Sequence, residues 1–417
     1  MEKINELNNV RKLATIAKIL DIQPIEGADN IEKVFVRGWQ CVAKKNEFHI
    51  GDLCVYVEID SIMPDGLASE RALNCKELLK ELSHSASETD KVIIKAKIAE
   101  IGKENTRPEF EFLRSVKFHI KTRRILGEIS QGICFPLSIL PKSWDVTFPL
   151  GILPVSEKDV LEDDDVTNIL GVTQYIPPDP AIMGGDVKGE LQAVGFLVSD
   201  EERLENLNYK YEEMRKFSYF VTEKLDGTSF AAYLKNGEFG VCGRNVNYKT
   251  PSDETPLNEM NVYWKVAKQL DIENKMRNLN KIHNIGDFVF QGELVGEGIQ
   301  GNIYKLKGQT VRFYNAFDIK LQEYWNYETF IEMITSIGLN TVPILSYYYT
   351  LPERALDLLE KADVTTTVFG NNPKQLIEGL VFIAREKMPA TLRITRSSFG
   401  RLSFKAKSRT FDMNKNK

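Results

Sequence analysis

Val221-Thr222-Glu223-Lys224-Leu225-Asp226-Gly227-Thr228-Ser229 sets a lysine two residues before an Asp-Gly pair, between a β-like run and a hairpin. Upstream, Phe217, Tyr219 and Val221 alternate with Ser218, Phe220 and Thr222, the period of a strand. Downstream, Ser229-Phe230-Ala231-Ala232-Tyr233-Leu234-Lys235 runs into Asn236-Gly237, the strongest short-range hairpin signal, and then into Glu238-Phe239-Gly240-Val241-Cys242-Gly243-Arg244. The pattern predicts Lys224 at the end of a strand.

A lysine amine is a nucleophile only when deprotonated, so a site that uses one has to lower its pKa by desolvation or by crowding it with positive charge. Moving the ordinary value of about 10.4 to near 8 costs on the order of 3 kcal/mol, which takes several neighbours. Lys405 and Lys407, in Ser403-Phe404-Lys405-Ala406-Lys407, are two apart and so share one face of a strand, and Arg244 follows the first hairpin. A bound divalent metal would add to their effect. Taken alone, Lys-x-Asp-Gly also describes an exposed lysine before a turn.

Order and spacing decide between these readings. Lys224-Leu-Asp-Gly is followed by Gln291-Gly292-Glu293-Leu294-Val295-Gly296, Phe313-Tyr314-Asn315-Ala316-Phe317-Asp318-Ile319, Glu378-Gly379-Leu380-Val381-Phe382 and Lys405-Ala406-Lys407. The series resembles the collinear motifs of the covalent nucleotidyltransferases, the polynucleotide ligases and mRNA capping enzymes. Further upstream, Ile22-Gln-Pro-Ile-Glu-Gly-Ala-Asp-Asn-Ile, Gly51-Asp-Leu-Cys-Val-Tyr-Val-Glu-Ile-Asp and Gly127-Glu-Ile-Ser-Gln-Gly-Ile-Cys-Phe-Pro-Leu resemble the N-terminal OB-type domain of ATP-dependent RNA ligases of the Naegleria/Deinococcus type.

The resemblance implies an α+β protein: an OB-type β-barrel followed by an adenylyltransferase domain of ATP-grasp-like antiparallel sheets with helices. The expected organisation is an OB-fold RNA-binding domain over 1–160 with an insertion near 66–107, a linker over 161–189, and the nucleotidyltransferase domain over 190–417. The barrel is also legible in short β-rich pieces at Leu13–Ile22, Glu32–Ala43 and Asp52–Ile59. The insertion is expected because the family-like wording stops near Pro64, resumes at Pro108, and leaves between them a helically spaced Cys75-Lys-Glu-Leu-Leu-Lys-Glu-Leu. The linker is expected from the acidic Asp163-Asp-Asp run and the proline-rich Tyr175-Ile-Pro-Pro-Asp-Pro.

Site roles follow from the same resemblance. Lys224 would attack the α-phosphorus of ATP, expel pyrophosphate and hold AMP as a phosphoramidate. Asp226 and Glu378 would organise the waters of a metal, Mg2+ or Mn2+, and Lys405 and Lys407 would contact the α-phosphate. Glu223 joins the expected ATP-binding set. Glu293 would accept from a ribose hydroxyl or join the carboxylates around the metal waters, and Arg244 would reach the ribose or a 5′-phosphate. Phe317 would stack on adenine, or is a core residue. Arg203 would contact the triphosphate tail, or is a helix-surface arginine paired with neighbouring glutamates. Arg409 is a weaker candidate of the same kind. In the N-terminal domain, Arg114, Lys117, Lys121, Arg123 and Arg124 cluster beside Phe118 and His119; read as a barrel strand, this stretch suits an RNA groove, since charge tracks phosphates and rings stack on bases.

Composition sets bounds. The 417 residues carry a net charge of −5, with 27% charged and 42% hydrophobic residues, so nucleic-acid contact has to come from local patches. The five cysteines are scattered and odd in number, with no Cys-x-x-Cys pair, and read as reduced thiols. Neither a signal peptide nor a membrane-spanning run is recognisable, so the expected location is intracellular, cytoplasmic or nuclear. The histidines form no metal-ligand spacing.

The expected function is an ATP-dependent RNA ligase joining 3′-OH and 5′-phosphate ends through a lysyl-AMP intermediate. A capping-type guanylyltransferase shares the lysine chemistry but places its OB domain after the transferase domain. A nucleic-acid-binding protein with an inactive transferase domain is the alternative of a different class, and it would be free to lose some of Lys224, Asp226, Glu378, Lys405 and Lys407, all of which are present.

Overall fold

The computed structural model describes residues 12–64, 92, 108–142, 144–148, 151–155, 159–175, 187–196, 201–386 and 401–415. The chain divides into two compact units, Asn8–Pro177 and Pro178–Lys417. The expected insertion near 66–107 lies outside the described residues, apart from residue 92.

In the first unit a five-stranded sheet runs in the order Trp39–Lys44, Ile31–Val36, Ala14–Pro24, Leu53–Val57, Ile133–Pro136, with every pair antiparallel. Ala14–Pro24 is shared by two neighbours. Its first half pairs with Leu53–Val57 and, after an irregularity between Ile19 and Asp21, its second half pairs with Ile31–Val36. A break of this kind bends a strand and increases its twist, which curls the sheet into the half-barrel of an OB fold. Alternate residues of Ile31–Val36 and Trp39–Lys44 turn inward, and Trp39 and Tyr56 meet at 5.8 Å in the core. The stretch Glu32–Ala43, read as one piece from sequence, is a hairpin pairing Val36 with Trp39.

Two expectations for this unit are corrected. Of the linker expected over 161–189, residues 161–175 are not free: Val166, Leu170 and Val172 belong to the OB core, Thr167 Oγ1 accepts from the N–H groups of Leu13 and Ala14, and Thr173–Gln174 pairs with Ser61–Ile62, while 176–186 lie outside the described residues. The acidic run just before Val166 masks the four-residue spacing of Val166 and Leu170, which suits a buried turn of helix. The basic stretch, in turn, is not one barrel strand. Pro108–Val116 is 3-10 helical, His119–Ile120 is a short strand, and Arg123–Ile125 pairs with Glu128–Ser130 in a separate ribbon. Phe118 and His119 are buried, His119 stacking on Tyr175 at 4.0 Å, so their rings are not presented beside the charges. Arg114 is held by Glu111 at 2.7 Å, whereas Lys117, Arg123 and Arg124 are exposed.

The second unit holds two sheets. A seven-stranded sheet runs Val187–Glu190, Val246–Tyr248, Glu238–Cys242, Thr228–Lys235, Phe288–Gly296, Gln309–Asp318, Glu323–Tyr324. A five-stranded sheet runs Glu202–Arg203, Ser403–Lys407, Gly379–Ala384, Ser218–Lys224, Ile344–Thr350, all antiparallel except the first pair. Asn236 and Gly237 make the hairpin turn at φ 51° and 76°, which is why this dipeptide stands there. Alternation divides the faces of the five-stranded sheet. Phe220 and Ile383 enter an aromatic core with Phe230, Phe290 and Phe313 of the larger sheet, while Tyr219, Val221, Phe382 and Phe404 pack with Leu358 and Leu359 of the helix Ala355–Val364. The chain crosses from one sheet to the other at Leu225-Asp226-Gly227.

Register matters most at Gly379, which lies directly between Lys224 on one neighbouring strand and Lys407 on the other. A Cβ there would stand 2.6 Å from the Ala406 carbonyl oxygen and 3.0 Å from Lys407 Cα, both backbone atoms that cannot swing aside. Gly379→Ala is therefore expected to destabilise this unit by roughly 1–3 kcal/mol, and a fall in melting temperature of several degrees checks it; an unchanged melt would show that the two strands can separate freely.

Candidate active site

Lys224 ends the strand Ser218–Lys224, as the alternation predicts, with its side chain on the face that carries Phe220 and Thr222. The row Lys224, Gly379, Lys407 and the next row Thr222, Val381, Lys405, Arg203 place all four cations on that one face. Two strand spacings of about 4.8 Å separate Lys224 from Lys407, and the glycine between them leaves room for Glu378. Its carboxylate bridges them: Lys224 Nζ donates to Oε2 at 2.6 Å, and Lys407 Nζ lies 3.2 Å from Oε1. Lys407 also pairs with Asp412 at 3.0 Å.

The electrostatics correct one expectation. Burial pulls the pKa of Lys224 down, and Lys407 adds to that, but Glu378 and Glu293 outweigh both and hold it above the ordinary lysine value. In this state Lys224 is an ammonium, because the crowding by positive charge expected from Lys405, Lys407 and Arg244 is overridden by a carboxylate at hydrogen-bond distance. Burial pushes Glu378 up, and Lys224 and Lys407 together drive it well below the usual carboxylate range. The two shifts agree on a charged pair.

The Asp-Gly turn is fixed by its own backbone. The Asp226 N–H donates to the Tyr304 hydroxyl at 2.7 Å, and the Gly227 N–H donates to Glu293 Oε1 at 3.1 Å. Residue 227 has to be glycine, since a Cβ would run into the Leu294 carbonyl oxygen. Asp226 is buried, and its Oδ1 accepts from Lys415 Nζ at 2.6 Å. Burial, with Glu378 nearby, raises its pKa against the pull of Lys415. Burial likewise pushes Glu293 up to about 8, with Glu378 and Asp226 adding to it and Lys224 and Arg244 opposing. Three carboxylates thus converge on Lys224, and the exposed Arg244 is near enough to act on one of them.

The remaining candidates are placed as follows. Arg203 is a buried strand residue in register with Lys405, not a helix-surface arginine. Glu223 turns to the opposite side of its strand, where its carboxylate accepts from the Thr367 hydroxyl and from the Val368 N–H at 3.2 Å. Phe317 is buried among Leu191, Val194, Tyr233 and Val289, edge-on to Tyr324 at 5.2 Å; in this state it is a core ring. Arg409 binds Asp363 through Nε at 2.8 Å and anchors the helix Arg409–Lys415. Tyr304, Asp412 and Lys415 join the site without having stood out in the sequence. Tyr304 carries no motif; the i, i+3 spacing of Asp412 and Lys415 directly after a predicted strand was the signal available for the other two.

Among the described residues no three His, Cys, Asp or Glu side chains form a direct metal-ligand set. One or two carboxylates beside a phosphate-binding face is nonetheless the arrangement that suits Mg2+, which keeps most of its waters, and Asp226 and Glu378 fit that mode.

The residues 217–407 match the family model described as RNA ligase, and residues 13–86 match one described as an OB-fold domain. Among solved structures, an apo mutant of Naegleria gruberi RNA ligase is 30% identical, with 97% of this chain and 98% of that chain covered and a TM-score of 0.69. A mutant of the same enzyme with ATP and Mn is 29% identical, covering 98% of each chain with a TM-score of 0.70, and the enzyme with PPi is 30% identical, covering 96% and 98% with a TM-score of 0.69. The Early 65 kDa protein of Autographa californica nuclear polyhedrosis virus is 28% identical over 205 residues, 47% of this chain but only 31% of that protein, so the match spans less than a third of that relative. The fold and site define a two-domain protein with an OB fold ahead of a lysine-centred ligase domain. The chain belongs to the RNA ligase family, in the type represented by the Naegleria enzyme.

The proton on Glu293 gives a stability test. A carboxyl whose folded pKa is raised from the ordinary 4.5 to about 8 contributes stability that is fully present below the unfolded value and is lost as pH rises through the folded one. Glu293→Gln keeps an acceptor for Gly227 and removes the titration. The wild-type protein should therefore lose several degrees of melting temperature relative to Glu293→Gln between pH 5 and pH 8.5, on the order of 1–4 kcal/mol. A difference that stays flat with pH would mean Glu293 is ionised throughout.

Proposed function

We propose that the protein is an ATP-dependent RNA ligase that seals 3′-OH and 5′-phosphate ends or nicks, with Lys224 as the residue that carries AMP. The observation that carries this reading is the arrangement of Lys224, Lys407, Lys405 and Arg203 on one sheet face with the Glu378 carboxylate bridging the first two. Four cations on one face suit a polyphosphate, and the strand-end lysine among them is the one next to the Asp-Gly turn.

Lys224 acts once its pair with Glu378 is broken and its ammonium proton has passed to water. Its Nζ then forms a bond to the α-phosphorus of ATP as the bond from that phosphorus to the pyrophosphate oxygen breaks. Lys405 and Lys407 hold the charge that builds on the transferring and departing groups. Asp226 and Glu378 would hold a divalent metal, Mg2+ or Mn2+, through its waters, and when bound the metal neutralises phosphate charge. Tyr304 and Glu293 keep the Asp226-Gly227 backbone still while this happens. A 5′-phosphate oxygen of RNA then bonds to the AMP phosphorus as the P–Nζ bond to Lys224 breaks, and a 3′-hydroxyl oxygen, giving up its proton, bonds to the 5′-phosphorus as AMP leaves. The binding of ATP and Mn by a mutant of the Naegleria enzyme supports these assignments. An intracellular location, cytoplasmic or nuclear, fits the buried free thiols Cys41, Cys54, Cys134 and Cys242; among the described residues no helix is long and apolar enough to cross a membrane.

Incubation with α-labelled ATP should label the protein covalently, α-labelled GTP should not, and Lys224→Ala should remove the label. Wild-type labelling of the Lys224→Ala protein would remove the central claim, and labelling by GTP alone would favour the capping reaction.

RNA engagement by the first unit is a separate proposal, now resting on charge without ring stacking. Arg123 and Arg124 are exposed on a small ribbon, and Lys117 is exposed nearby in sequence. Arg123→Ala with Arg124→Ala should slow sealing of nicked RNA and reduce the salt slope of RNA binding by roughly one to two, while ATP labelling stays at the wild-type level. An unchanged salt slope would show that these arginines do not meet phosphates.

A further inference from the structure

The helix Arg409–Lys415 follows the Lys405-Ala406-Lys407 strand directly and is tied down at its start. Asp363 accepts from the backbone N–H groups of Arg409 at 2.6 Å and Thr410 at 3.2 Å while pairing with the Arg409 guanidinium, and Phe411 is buried. A helix fixed in this way points one face at the candidate site. Asp412 and Lys415, three residues apart, lie on that face; Asp412 reaches Lys407 and Lys415 reaches Asp226.

Exposure separates the two members of the second contact. The side chain of Asp226 is 7% exposed, whereas that of Lys415 is 43% exposed. Asp226 is fixed in the turn by Tyr304, while Lys415 sits at the solvent side on a flexible stem in the last turn of a short helix. An ammonium 2.6 Å from Oδ1 fills one of that oxygen's acceptor sites and supplies the positive charge that a hydrated metal would otherwise bring to the same carboxylate.

We propose that Lys415 is a tethered cation that occupies Asp226 in the nucleotide-free protein and competes there with the divalent metal, so that metal entry requires Lys415 to swing out. This rests on the reading of Asp226 as a metal-organising carboxylate. Lys415 acts through Asp226 and is in that sense a positioning residue: it keeps a buried carboxylate compensated until the metal replaces it.

The test is Mn2+ binding by the full-length nucleotide-free protein, read from the free-ion signal in electron paramagnetic resonance, for wild type, Lys415→Ala, Lys415→Arg and the same proteins carrying Asp226→Asn. Lys415→Ala should bind Mn2+ about three- to tenfold more tightly than wild type, Lys415→Arg should restore the wild-type affinity, and Asp226→Asn should erase the difference. Because Lys415 is half-exposed at a helix end, its variants are expected to melt with the wild type, which a thermal scan verifies. The metal concentration for half-maximal labelling at saturating ATP should fall in parallel in Lys415→Ala. Equal or weaker Mn2+ binding by Lys415→Ala, or no measurable binding by it, overturns the proposal. So does a raised KM for ATP with an unchanged metal midpoint, which would assign Lys415 to the phosphates instead. Absence of labelling in every variant would count against the ligase reading alone, since the Mn2+ comparison needs no turnover.

Discussion

The hydrogen-bonded ion pair between Lys224 and Glu378 depends on a register that only glycine at 379 allows. The strand bearing Gly379 lies between two lysine-bearing strands, and because that row has no side chain at its centre, the preceding glutamate can reach both ammonium groups. Any larger residue would push the strand ends apart and break the bridge with them. The sheet thus converts a spacing in sequence, Glu-Gly on one strand and Lys-x-Lys on the next, into a compensated charge cluster. Its partial burial is tolerable because each charge has a partner within hydrogen-bond reach.

The motif residues were legible in the sequence because each stands where a strand meets a turn or where alternation fixes a face. Lys224 at a strand end, Lys405 and Lys407 on one side and Asn236-Gly237 as a turn all follow from period-two patterning and turn chemistry. The state of Lys224 was not legible. Its pKa is decided by which oppositely charged oxygen comes within about 3 Å, and that depends on three strands aligning to a single residue, information that no local window contains. Lys415 and Asp412 were hidden for a related reason: a polar turn of helix at the end of a domain reads as surface until the fold shows what it is folded against.

The aromatic residues mislead in the opposite direction. Phe118 and His119 beside five basic residues resemble an RNA-stacking groove, yet both are core-facing, and the backbone reverses direction at Lys117 and Phe118, with φ of 54° and 59°. Left-handed backbone at two successive non-glycine residues sends the rings inward while the lysine stays out, an outcome that composition cannot express. Phe317 behaves similarly: a strand residue in an apolar run is first of all a core residue, and here its ring is packed against Tyr324.

Charge balance ties the two sheets to the helix that follows them. Asp412, Lys407, Glu378 and Lys224 form an alternating line of opposite charges, and Lys415 with Asp226 forms a second pair beside it, while burial pushes the third carboxyl, Glu293, up to about 8. Glu293 accepts the Gly227 N–H that shapes the turn, so its carboxyl is tied to the backbone as well as to the charge cluster. Glu378 is shifted the other way by two lysines. Two carboxyls of one cluster are therefore shifted in opposite directions, Glu293 as a clamp on the turn backbone and Glu378 as an anion that keeps Lys224 protonated, and burial against neighbouring charge is what assigns them.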